Sequence, residues 1–88
     1  MVVQSIAVKN PTGLHAHPAA LFIQAASKFK SDITIAKGDR EVDARSILGI
    51  LTLIAKQGDV ITLKATGEDA QEAVATLTDL ISRPLDEI

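Results

Sequence analysis

Both histidines of the chain fall in one short stretch, NPTGLHAHPAALF, at positions 15 and 17. They come directly after a turn signal and directly before an apolar run with helical spacing. A neutral imidazole nitrogen is a good nucleophile near neutral pH. If a helix begins just after His15, its ring lies beside the amides of Ala16 and His17. These amides have no intrahelical acceptor and sit at the positive end of the helix dipole. A phosphoryl group taken up by His15 would then be held by helix-end amides. Pro18 suits that first turn, where its missing N–H leaves no bond unmade. A metal site is disfavoured, because residues two apart on a helix do not face each other and no third ligand is evident. The acidic residues lie mostly at turns and helix starts and form no two-carboxylate or triad pattern.

The elements that must position this pair follow from periodicity. Residues 2–8 alternate as a short strand, ended by the turn formers Asn10, Pro11, Thr12 and Gly13. From about His15 to Phe29 the small apolar residues recur at helical spacing. SDITIAKGDREVDA is a hairpin turning at Gly38 and Asp39. ILGILTLIA, preceded by Ser46 as N-cap, is a brief helix. VITLKA is a fourth strand with Ile61, Leu63 and Ala65 on one face. Asp69 with Glu72 has the spacing of a capping box for a last helix with a stripe of Ala73, Val74, Leu77, Leu80 and Ile81. Arg83 and Pro84 stop that helix.

Strands with one apolar face need helices on that face only. The expectation is therefore an α+β fold of order βαββαβα, an open-faced β-sandwich with all three helices on one side of a four-stranded antiparallel sheet. The first two strands run the same way, so the fourth can slot between them and give the order 1-4-2-3.

Composition narrows the function further. At 88 residues the chain reads as one domain, 1–88. Aromatic residues make up only 2% of it, so Phe22 and Phe29 must be the largest members of an aliphatic core. The net charge of −2, with scattered lysines and arginines, lacks the basic footprint of a nucleic-acid binder. The absence of cysteine removes disulfides and thiolate metal sites. No apolar run approaches the roughly 20 residues that span a bilayer, and no signal peptide is evident. The expectation is a cytoplasmic protein without membrane insertion.

The segment NPTGLHAHPAALF closely resembles the active-site segment of the HPr family, the histidine-containing phosphocarriers of the phosphoenolpyruvate-dependent sugar phosphotransferase system. ASKFKSDITI and GEDAQEA are similar to that family too, and the resemblance covers essentially the whole chain. It implies that His15 accepts a phosphoryl group on Nδ1 from phosphorylated enzyme I and passes it to enzyme IIA domains. The protein would be a carrier without a cofactor rather than a stand-alone enzyme, and a monomer.

The resemblance also makes Ser46 a regulatory site for HPr kinase/phosphorylase, which would bring in a catabolite control transcription regulator as partner. Capping alone explains a serine there, and the two roles are compatible. Ile47, Leu48 and Leu51 match the family's apolar docking patch, with Thr12, Ala20, Phe22 and Gln24 as further docking candidates. Two positions depart from the pattern. His17 stands where the family usually has arginine, so the phosphate would meet a side chain charged only in part near neutrality. Ile54 stands where relatives commonly carry glycine, which implies an altered turn after the second helix. The alternative function is an HPr-like regulatory protein acting through phospho-Ser46. Retention of His15 speaks against it, because those paralogues lack the histidine.

Overall fold

A computed structural model of the chain describes residues 1–9, 13–14 and 16–82, and of Ala16 and His17 the backbone alone. His15, Thr12 and the stop at Arg83 and Pro84 lie outside the described residues. The elements run β1 (Val2–Ala7), α1 (Ala16–Ala26), β2 (Asp32–Lys37), β3 (Arg40–Asp43), α2 (Ile47–Leu53), β4 (Val60–Thr66) and α3 (Ala70–Ile81). This is the expected βαββαβα order.

The sheet order is β1-β4-β2-β3, with every neighbouring pair antiparallel. Register follows from the side chains. Ile6 lies opposite Ile61, Ile33 opposite Ala65 and Ile35 opposite Leu63, so the bulky aliphatics of β1, β4 and β2 fall on one face. That face and the inward stripes of the helices form a single core. Phe22 of α1, Ile50 and Leu53 of α2, and Ala73, Val74, Leu77 and Ile81 of α3 are all buried in it.

Among the described residues the opposite face carries no helix. There Ser5 Oγ and Thr62 Oγ1 lie 3.1 Å apart, Thr34 Oγ1 donates to Glu41 at 2.8 Å, and Lys64 pairs with Glu41 at 3.5 Å. Polar side chains that satisfy one another explain how this face stays open without an apolar cover.

Helix ends correct two expectations. α1 stops at Ala26 rather than near Phe29, because the chain tightens there. The amides of Lys28 and Phe29 donate to the carbonyls of Ala25 and Ala26, three residues back, each at 3.2 Å. The capping box at α3 is not made. Asp69 occupies the N-cap position, yet its side chain makes no cap bond. Its carboxylate accepts the amides of Lys30 at 2.8 Å and Ser31 at 2.9 Å, and also the Ser31 hydroxyl. The long-range anchor outcompetes the local one because it satisfies three donors of the α1–β2 connection at once.

Gly49 inside α2 has a packing cause. A Cβ at that position would lie 3.0 Å from Val42 Cβ and 3.1 Å from Ser46 Oγ, tighter than ordinary contact. The residue lets α2 approach β3 closely.

Candidate phosphorylation site

The approach to His15 is built by backbone. Gly13 adopts φ +70°, a left-handed conformation in which an L side chain is strained. A Cβ there would also collide with the Ala55 carbonyl oxygen and lie 3.0 Å from Lys56 Cα. Leu14 follows, buried in the core, and its amide donates to that same Ala55 carbonyl at 2.9 Å. Ala16 and His17 are the first two residues of α1, so neither amide has an acceptor within the helix. Pro18, in the same turn, is buried. The helix start thus offers donors to an anion beside the sequence position of His15.

Ser46 is the N-cap of α2 as expected. Its backbone is extended, with φ −98° and ψ 110°, and its Oγ accepts the Gly49 amide at 3.0 Å. The Ser46 carbonyl accepts the first helical bond, from Ile50, at 2.9 Å. Arg45, beside it, donates from one guanidinium nitrogen to the carbonyls of Phe29 at 2.7 Å and Ser31 at 2.9 Å. The chain entering α2 is therefore tied to the end of α1.

The apolar residues of α2 divide between two faces. Ile50 and Leu53 are buried, Leu51 is half-buried, and Ile47 and Leu48 are 41% and 74% exposed. Leu48 at that exposure lies on the surface rather than in the core. Ala20 and Gln24 on α1 are exposed as well. Phe22 is corrected: it is wholly buried among the core residues and presents nothing to a partner. Phe29, the other aromatic, is only partly buried against that core.

Ile54 closes α2 in a left-handed conformation, φ 51° and ψ 48°, and is the only non-glycine with positive φ among the described residues. Its amide donates to Leu51 at 3.3 Å, and its side chain is 64% exposed. A β-branched residue is poorly suited to this C-cap, which glycine ordinarily fills. The altered turn implied by the sequence therefore does not occur: the backbone keeps the glycine-type conformation, and the strain is borne by Ile54.

Sequence patterns gave no sign of Lys37. From the end of β2 its Nζ donates to the Ile54 carbonyl at 2.8 Å and pairs with Asp59 at 2.9 Å. Asp59 also accepts the Lys56 amide at 2.9 Å, and that bond first, with Lys37 second, holds its carboxyl below the usual carboxylate range. Among the described residues no three potential metal ligands converge, and no helix is long and apolar enough to cross a membrane.

The 1-4-2-3 sheet, the α1 start and the capped second helix are those of a small open-faced β-sandwich domain. The family model described as "PTS HPr component phosphorylation site" matches residues 2–83, and the chain belongs to this HPr family. It is 47% identical over 77 residues to the HPr-like protein Crh of Bacillus subtilis, covering 88% of this chain and 91% of that one. It is 45% identical over 82 residues to the phosphocarrier protein HPr of Neisseria meningitidis, covering 93% and 92%. The crystal structure of HPr-C-His from Thermoanaerobacter tengcongensis superposes with a TM-score of 0.89 at 52% identity, covering 92% of this chain and 91% of that one.

Proposed function

We propose that the chain is a phosphocarrier of the sugar phosphotransferase system. His15 accepts a phosphoryl group from phosphorylated enzyme I and hands it to enzyme IIA domains in the cytoplasm. The observation that carries this reading is the conjunction of a family-type helix start, where the amides of Ala16 and His17 lack intrahelical acceptors, with a histidine immediately before it.

The division of labour follows from the chemistry. The phosphoryl donor's P–N bond breaks as the His15 Nδ1–P bond forms, and the reverse exchange regenerates the ring on delivery. Phosphoryl transfer depends on positioning and on neutralising the equatorial oxygens. This chain contributes the nucleophile, the amide donors and a surface for docking; its partners contribute the rest. His17 supports the phosphoryl oxygens when protonated, in place of the family's arginine. Leu48, Ile47 and Leu51, with Ala20, Gln24 and Thr12, form the docking surface.

A second reading is favoured by the similarity to Crh. In it, Ser46 is phosphorylated by HPr kinase/phosphorylase, and the product binds a catabolite control regulator. Phosphate on the α2 N-cap would sit at the positive end of the helix, so modification would change the docking face without unfolding it. Transfer of label from phosphoenolpyruvate through enzyme I to a IIA domain separates the two. The carrier reading expects His15→Ala to abolish transfer while kinase-dependent labelling of Ser46 survives. Transfer that persists in His15→Ala overturns it.

A further inference from the structure

The turn from Ile54 to Asp59 holds the chain on both sides of residues 10–12. The Val8 amide donates to the Asp59 carbonyl, and the Gly58 amide donates to the Val8 carbonyl, each at 2.9 Å. Gln57 Nε2 donates to the Lys9 carbonyl at 3.3 Å. On the far side, the Leu14 amide donates to the Ala55 carbonyl at 2.9 Å. The residue before His15 is therefore held by this turn and by its own burial.

The turn is in turn braced by one ion pair. Lys37 Nζ holds the Ile54 carbonyl at 2.8 Å and Asp59 Oδ2 at 2.9 Å. The same Asp59 oxygen holds the Lys56 amide at 2.9 Å. Lys37 and Asp59 thus grip the peptide units on either side of Ala55, whose carbonyl sets Leu14. The two side chains are 32% and 34% exposed, so Coulomb attraction between them is largely screened. Their effect is geometric: charge-assisted bonds fix a chain reversal that otherwise contains a strained Ile54. Neither residue belongs to the apolar core.

We propose that Lys37 and Asp59 are positioning residues for phosphoryl transfer. They fix Ala55, and through its carbonyl the Leu14 amide, so that the start of α1 meets the incoming phosphoryl group in register. The inference rests on His15 being the acceptor. Small displacements of a reacting group cost rate steeply, so a brace well removed in sequence can matter to transfer.

The test is steady-state phosphorylation by phosphorylated enzyme I of the full chain and of Lys37→Met, Asp59→Asn and Lys37→Arg. Lys37→Met and Asp59→Asn are each expected to lower kcat about tenfold, with KM changed by less than about twofold because the exposed α2 side chains are untouched. Lys37→Arg, which can reach the same carbonyl and carboxylate, is expected to retain most of the rate. Hydrogen exchange of the Leu14 amide should quicken in Lys37→Met. If Lys37→Met does not fold, Asp59→Asn decides, since asparagine keeps the side-chain shape while removing the charge that strengthens the bonds to both Lys37 and the Lys56 amide. A kcat equal to the parent's in the folded variants overturns the positioning role and leaves the carrier reading standing. A parent chain that accepts no phosphoryl group overturns the carrier reading, and this inference with it.

Discussion

The carbonyl oxygen of Ala55 occupies the space in which a side chain at Gly13 would sit, and it accepts the Leu14 amide at 2.9 Å. Two demands meet at Gly13, a left-handed φ of +70° and the absence of a Cβ. Gly13→Ala must give up either the φ or the Leu14 bond. The expected cost is about 2 kcal/mol of stability or more, read by thermal melting, with phosphoryl acceptance falling alongside it. A Gly13→Ala chain that melts with the parent contradicts this close approach.

Ile54 presents the opposite case, a side chain where glycine belongs. Its φ of 51° is strained, and its side chain, 64% exposed, gains little packing in return. Ile54→Gly should stabilise the protein by about 1 kcal/mol, the left-handed penalty less the extra entropy of an unfolded glycine. For a domain of this size that is a rise in Tm of roughly 4–8 °C.

Phe22 and Leu48 separate packing from docking. Phe22 is fully buried, so Phe22→Ala should cost about 3–5 kcal/mol. Leu48 is 74% exposed, so Leu48→Ala should shift stability by less than about 0.5 kcal/mol. It should instead raise KM for enzyme I while leaving kcat nearly unchanged. Urea unfolding and transfer kinetics on the two variants check both halves.

Asp69 makes stability depend on acid. The Ser31 hydroxyl first, then the Lys30 amide, hold its carboxyl below the usual carboxylate range. A depressed folded pKa means that the unfolded chain binds the proton more readily. The contribution is then fully present above the unfolded value, about 3.9, and is lost as pH falls through the folded value. Asp59 and Glu41 act in the same direction, through the Lys56 amide and the Thr34 hydroxyl respectively. Asp69→Asn should therefore destabilise the protein at neutral pH and lessen the loss of stability between neutral and acid pH, as followed by melts across that range.

Much of this molecule was legible in its sequence. Strand alternation such as Ile61, Leu63 and Ala65 set the faces, and one-sided strands required one-sided helices, which led to the observed 1-4-2-3 sheet. Ser46 could be read because N-capping is local: the serine and the Gly49 amide that it accepts lie three residues apart. The capping-box spacing at Asp69 misleads because it is local, while the partners of Asp69, Lys30 and Ser31, are distant in sequence. Lys37 with Asp59 left no pattern, since their meeting depends on where β2 ends relative to the turn before β4. The exposure of Leu48 against the burial of Phe22 was likewise undetermined, because both are apolar residues at helical spacing. Their difference comes from which face each helix turns to the sheet.

The most direct test of the carrier role is intact-mass analysis after incubation with phosphoenolpyruvate, magnesium and enzyme I. The parent chain, His15→Ala and His17→Arg would be compared across a pH series. The account predicts an acid-labile phosphoryl adduct on the parent and on His17→Arg but not on His15→Ala. Its formation on the parent should decline toward alkaline pH, and His17→Arg, whose charge persists, should flatten that decline. No adduct on the parent, under conditions that phosphorylate an arginine-bearing HPr, would contradict the account.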